Sequence, residues 1–430
     1  MKIVNGFEAA KKALSRETAP VGVGNVELEM QIRQWVEDVR LRGDAAVREY
    51  TRRFDNVELG TLEVPAEELD AAYLNIDKDL RKALEMASER IAAFHGDQKT
   101  ALVRDKTDGH LGWVMRPIER VGVLAPGFQA PLPSSVLMSA VPARVAGVAE
   151  LVLVTPPGKT GRISPVTLAA ARIAGVNRVF SIGGAQAVAA LAYGTESVPR
   201  VDKICGPGNM YVTLAKKIVY GSVGIDGLYG PSEVIIIADE TADPVHCAAD
   251  LLGQAEHGSL ATAMLITTSK RIADEVNREV ERQLRTLERR EVIIESLEKR
   301  GLIAVVESIG QALELADTFA PEHLCIVTQN AADYLEKIKN AGCLFIGENA
   351  IEVLVDYVAG PSHVLPTEGT ARFSSPLNIL DFVKLTTVVN TSEKDIRELG
   401  GAASVIARAE SLDAHARAVE MRLEELEKKE

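Results

Sequence analysis

Apolar residues recur at three- and four-residue intervals through Leu28, Ile32, Trp35, Val36 and Val39, and again through Leu80, Leu84, Ile91 and Phe94. That spacing lays one apolar stripe along a helix, so residues from about 26 to 98 read as helical. From Val121 the texture changes. Short, mostly apolar runs at 121–124, 151–155 and 179–182 each end near Pro or Gly and give way to Ala-rich stretches. Buried strands alternating with helices predict a parallel sheet. A second series begins at 233–237 and continues at 264–267, 302–306, 324–328 and 343–346. After Pro376 the pattern is mostly helical again, ending in a charged amphipathic stretch from Val405 whose last residues read as solvated and frayed.

The expected fold is therefore α/β, with two Rossmann-like parallel-sheet units, a helical N-terminal region and a helical C-terminal tail. In residue numbers, an N-terminal arm spans 1–25, and a helical lead-in, expected to pack with the second α/β unit, spans 26–120. The first α/β unit covers 121–232, the second 233–376, and the tail 377–430. At 430 residues and 47% hydrophobic content the chain is long enough for two or three cores. No short repeat or low-complexity segment interrupts it.

Charge narrows the range of partners. With 61 acidic and 48 basic residues the net charge is −13, which repels phosphate backbones and anionic lipid surfaces where no basic cluster intervenes. Neither a nucleic acid nor a membrane is expected as a partner. Cys205, Cys247, Cys325 and Cys343 are far apart and form no CxxC pair, as buried free thiols do in a reducing cytoplasm. No apolar run approaches the roughly 20 residues of a membrane span, and the N-terminus lacks a signal core.

Candidate chemistry gathers around histidine. Of seven histidines, His257, His323, His363 and His415 fall in punctuated segments of the C-terminal half. Glu322 and His323 place a carboxylate and an imidazole side by side just before a strand-like run, where they can divide acid and base work. The stretch from Asp243-Pro244 to His257-Gly258 has an N-cap Asp, a Pro at the first helical position and a Gly past the end. It reads as one helix with Gln254 and His257 on one face, able to hold a metal ion. A surface histidine favoured by the helix dipole is the other reading. Asp356 and His363 flank a Gly-Pro turn, either as site residues on a loop or as a capping Asp with a half-buried histidine. His415, on a polar helix, means little by itself. Three glycine turns follow strands in the first unit: Ala125-Pro126-Gly127, Gly183-Gly184-Ala185-Gln186 and Gly206-Pro207-Gly208-Asn209. Backbone amides there can receive a pyrophosphate, although none matches GxGxxG and plain tight turns would look alike. Gly230-Pro231-Ser232-Glu233 is a similar turn with a hydroxyl.

Taken together, these segments resemble histidinol dehydrogenase from about residue 26 to about 425. The most specific stretches are GGAQAVAALAYGTESVPRVDKICGPGN, GPSEVIIIADE, QAEH, APEHL, DYVAGPSHVLPT with ARFSS, and ESLDAHARAVEMR. The resemblance implies a homodimer with intertwined C-terminal tails, one Zn²⁺ per subunit, and NAD as co-substrate for the four-electron oxidation of L-histidinol to L-histidine through an aldehyde. By the same resemblance, Gln254, His257, Asp356 and His415 are zinc ligands, with His415 given by the partner subunit. Glu322 and His323 are the acid/base pair. Ser232, His363 and Glu410 meet the substrate together with Gln254, His257, His323, Asp356 and His415, and Leu124, Gln186 and Asn209 lie at the NAD positions.

The chain also departs from that family's common pattern. Leu124 and Pro126-Gly127-Phe128 stand where a tyrosine and a double glycine are usual. Tyr229 replaces a small residue, Val355 a glycine and Gly258 an acidic residue. Tyr229 would then supply from another loop the ring and hydroxyl that Leu124 lacks. Two rival functions are kept: a related dehydrogenase of another small polyol such as a sulfonated propanediol, against which Glu410 argues, and a zinc hydrolase using Glu322 as base, which leaves the glycine turns and Gln186 without a role.

Overall fold

The computed structural model describes residues 1–16, 26–127 and 131–429. Two compact units result, one formed by 1–99 with 118–382 and the other by 100–117 with 383–430.

The larger unit holds two six-stranded sheets. In the first, the order is Glu63–Val64, Arg178–Phe180, Glu150–Val154, Arg120–Leu124, Lys203–Cys205, Gly224–Ile225, parallel except for the antiparallel Glu63–Val64 at its edge. In the second, the order is Lys2–Asn5, Leu302–Val305, Thr262–Thr267, Glu233–Ala238, His323–Val327, Cys343–Ile346, parallel throughout. Glu233–Ala238 and Thr262–Thr267 are buried at every position, as strands covered on both faces must be. Parallel neighbours need crossover helices, and the Ala-rich segments Pro165–Ile173 and Gly184–Tyr193 serve the first sheet.

Two expectations about the ends of the chain need correction. The helices Val26–Arg42 and Asp44–Asp55 cover the first sheet, not the second: Ile32, Val36, Val39, Val47 and Tyr50 share a core with Phe180, Leu191 and Val201. A periodic apolar stripe states that a face is buried but not against which sheet. The presumed N-terminal arm likewise begins as Lys2–Asn5, an edge strand of the second sheet paired with Leu302–Val305. Its four residues are too few for a periodic signal.

The smaller unit pairs Leu111–Pro117 with Val383–Val389 antiparallel and adds an antiparallel pair of helices, Glu393–Ala409 and Asp413–Glu427. Ser392 and Asp395 form a capping box at the first of these, and Asp395 also receives His110 Nδ1 at 2.6 Å. The strand Val383–Val389 lay hidden in a stretch read as helical.

Candidate active site

In the first sheet the chain lays strands outward from Arg120–Leu124 to Glu150–Val154 and Arg178–Phe180. It then returns to place Lys203–Cys205 on the other side of Arg120–Leu124. Such a reversal opens a crevice beyond the strands' carboxyl ends, where α/β sheets take ligands. Gly206 sits in this crevice at φ +109°, and a Cβ there would come 2.4 Å from the Leu124 carbonyl oxygen. Only glycine permits that approach. The turn is tied from below by a buried ion pair, with Lys216 Nζ 2.5 Å from Asp226 Oδ1 and the Gly206 N–H donating to Asp226 Oδ2 at 2.7 Å. Asn209 caps the helix Met210–Val219 by accepting from the Val212 N–H at 3.1 Å.

The second sheet turns the amino ends of its strands to the same opening. Glu322 and His323 stand at the amino end of His323–Val327, beside the start of Glu233–Ala238, so the pair lies at the strand ends where ligands of α/β sheets are least expected. Both are buried, at 5% and 4% exposure. The peptide groups of Glu233 hold both: its N–H donates to Glu322 Oε2 at 2.8 Å, and its carbonyl accepts from His323 Nδ1 at 3.1 Å. A carbonyl can only accept, so the proton sits on Nδ1, and Nε2, which has no hydrogen-bond partner among the described residues, carries the lone pair. Burial presses the His323 pKa down to about 3 and pushes the Glu322 carboxyl well above its ordinary range, the Glu233 N–H opposing the latter in part. The imidazole is neutral at pH 7.

Next to this pair lie the other candidates. His257 Nε2 is 4.0 Å from Asp356 Oδ2. Gln254, 1% exposed, has neither its amide oxygen nor its nitrogen hydrogen-bonded among the described residues. A buried amide without partners is uncommon and points to a ligand. The helix Pro244–Ala255 ends two residues earlier than expected, leaving His257 in the following turn with its N–H on the Gln254 carbonyl. His363 donates from Nδ1 to the Asp356 carbonyl at 3.0 Å, and burial lowers its pKa to about 4 while raising Asp356 to about 6.

Ser232, His257, Glu322, His323, Asp356 and His363 line one cleft of about 630 Å³, which Pro126, Asn209 and Tyr229 line from the first sheet. Leu124 belongs to the hydrophobic core at 5% exposure, and from that turn it is Pro126 that reaches the cleft. Gln186 is buried with its amide oxygen unpaired. Tyr229 lines the cleft, and Lys216 Nζ, itself paired with Asp226, lies 4.7 Å over its ring. Phe128 lies outside the described residues. Glu410 and His415 belong to the smaller unit, Glu410 capping the end of its first helix and His415 in the first turn of its second.

Sequence reading missed Glu352. Its carboxyl is buried at 5% exposure, 3.4 Å from His323 Nδ1, and with His257 and Asp356 it offers ligand atoms all within 4.8 Å of one another. The signal was the i, i+4 spacing to Asp356, which puts both carboxylates on one face of Glu352–Tyr357.

A glycine-bearing crevice at the carboxyl ends of one sheet, opening onto a buried imidazole and carboxylate at the strand ends of another, is a site of the class that α/β oxidoreductases offer to a nucleotide and its substrate. The histidinol dehydrogenase family model matches residues 22–423. The chain is 52% identical to a histidinol dehydrogenase of Dehalococcoides mccartyi over 99% of its length and 100% of that protein, and 47% identical to one of Clostridium acetobutylicum over 93% and 94%. The crystal structure of histidinol dehydrogenase from Elizabethkingia anophelis superposes with a TM-score of 0.93 at 36% identity, covering 99% of each chain. The chain belongs to the histidinol dehydrogenase family.

Proposed function

We propose that His323 and Glu322 divide between them the proton transfers of a histidinol dehydrogenase. The reaction is the NAD-dependent, four-electron oxidation of L-histidinol to L-histidine through L-histidinal, which closes histidine biosynthesis. The observation that carries the division is the grip of Glu233 on both residues. With Nδ1–H spent on the Glu233 carbonyl, His323 offers Nε2 as a neutral base in the cleft wall, placed to take the hydroxyl proton as hydride leaves the alcohol carbon. Glu322, its Oε2 fixed by the Glu233 N–H, takes a proton from water so that the aldehyde becomes a hydrate ready for the second oxidation. Burial raises its carboxyl above the ordinary carboxylate range, which strengthens it as a base toward water. NAD supplies the hydride acceptor for each oxidation, at the first sheet's crevice near Asn209, Gln186 and the turn after Leu124.

Gln254, His257 and Asp356, with His415 of the partner subunit, are the ligands of one zinc ion per subunit. The unpaired Gln254 amide and the His257–Asp356 approach fit such an ion. When bound, zinc supplies a Lewis acid that holds the amino alcohol in register and reduces the entropy cost of reaching the reactive geometry. Ser232 and His363 orient the substrate, joined by Glu410 of the partner subunit in a homodimer whose C-terminal tails exchange. Among the described residues no helix is long and apolar enough to cross a membrane, and four free cysteines suit a reducing cytoplasm.

The test is NADH absorbance with L-histidinol, with and without a chelator. Expected are NADH formation, its loss on chelation and its return with zinc. Turnover of a sulfonated propanediol with none of L-histidinol would overturn the substrate assignment.

A further inference from the structure

Arg16 precedes the segment that the family model matches, yet its side chain reaches the strands that carry the acid/base pair. Its guanidinium makes a two-pronged ion pair with Glu233, Nη1 to Oε1 at 2.5 Å and Nη2 to Oε2 at 2.7 Å. The Glu233 carboxylate is only 3% exposed. The same guanidinium donates from Nε to the Phe319 carbonyl at 2.8 Å and lies 3.6 Å over the Phe319 ring. Phe319 ends the helix before Ala320, which adopts the left-handed conformation at φ 53° and leads through Pro321 into Glu322 and His323. A non-glycine residue in that region costs about 1 kcal/mol, so neighbouring contacts must hold the turn.

We infer that Arg16 is a positioning residue for catalysis: it clamps Glu233 to the Phe319–Ala320 turn and so fixes the peptide groups that orient Glu322 and His323. Both sides of the acid/base pair are gripped by one planar fork. Glu233 presents its N–H to Glu322 and its carbonyl to His323, while its carboxylate is neutralised from behind. Without Arg16 a carboxylate would be left buried and unpaired beside Glu322, which forces strand Glu233–Ala238 to shift or water to enter. A bidentate guanidinium fixes an angle as well as a distance, which the single ammonium of lysine does not.

This inference rests on the roles given to Glu322 and His323, and the experiment separates the two. Arg16→Ala, Arg16→Lys, Glu233→Gln, Glu322→Gln and His323→Asn are assayed with L-histidinol and, separately, with L-histidinal, alongside thermal melts. Arg16→Ala is expected to lower kcat for the aldehyde step about ten-fold or more with KM changed less than about three-fold, as small misplacements of catalytic groups do. Arg16→Lys should recover part of the loss, and Glu233→Gln should match Arg16→Ala while leaving the stack on Phe319. In a Glu322→Gln background the effect of Arg16→Ala on that step should shrink to about two-fold, because the group through which it acts is gone. Equal fold-losses in both backgrounds, or a lowered melting temperature with kcat within two-fold of wild type, would overturn the inference. If Glu322→Gln and His323→Asn are damaged and Arg16→Ala is not, only this inference falls. If those two variants are undamaged, the acid/base assignment falls and takes it along.

Discussion

Replacing Gln254 by leucine should make the metal-free protein more stable and remove most of what zinc adds. The amide is 1% exposed with both polar atoms unpaired, and an unsatisfied buried group costs about 1–3 kcal/mol. Leucine is apolar and similar in volume, and such swaps in a packed interior cost up to about 1.5 kcal/mol. With two unpaired atoms relieved, about 2–6 kcal/mol in all, less a swap cost of up to about 1.5, the metal-free variant should gain on the order of 0.5–6 kcal/mol. Zinc at a hundred times its dissociation constant stabilises the native protein by about 2.7 kcal/mol. If losing one ligand weakens the site a hundred-fold, the same zinc concentration yields about 0.4 kcal/mol. Scanning calorimetry in chelator and then in excess zinc reads both effects: the chelated midpoint should rise above wild type, and the zinc-dependent increment should nearly vanish. A chelated midpoint below wild type with the zinc increment intact would refute the reasoning, because the amide would then be ordinary packing.

Glu352→Gln should change the stability of the chelated protein by less than about 1 kcal/mol, since burial raises this carboxyl above the usual carboxylate range and disfavours its charged form, whose neutral form the amide resembles. A loss of several kcal/mol in urea unfolding would instead mean that an ionised Glu352 pairs with His323. Acid should destabilise the chelated protein through His323. Its folded pKa of about 3 lies below the ordinary value of 6.5, so the unfolded chain binds the extra proton and stability falls as pH drops from about 6.5 toward 3. Asp356, raised to about 6 from 3.8, works the other way between those two values. A His323→Asn variant should accordingly show a shallower acid limb than wild type in thermal melts, and an unchanged limb would remove His323 as its cause.

Parts of the site were legible because their chemistry is local. Glu322 and His323 are neighbours in the chain, the Asp243 cap and Pro244 announced a helix delivering Gln254 and His257, and glycine turns after strands marked the crevice. Unbroken runs such as Glu233–Ala238 announced strands buried on both faces. What stayed hidden depends on distant pairing. Nothing near Arg16 says that it meets Glu233, because ion pairs have no period in sequence. Glu352 looked like one acidic residue among many until burial set it apart. The helices Val26–Arg42 and Asp44–Asp55 showed an apolar stripe but not the sheet beneath it, and Leu124 has the same strand pattern whether it faces a cofactor or the core.

The central claim is that one imidazole and one carboxylate have separate tasks, and single-turnover formation of NADH by Glu322→Gln tests it most directly. Wild type should produce the first and second equivalents of NADH from L-histidinol. The variant should form the first equivalent at nearly the wild-type rate and the second at least ten-fold more slowly, about 1.4 kcal/mol in barrier, with L-histidinal accumulating. Equal slowing of both equivalents would contradict the division of labour between His323 and Glu322.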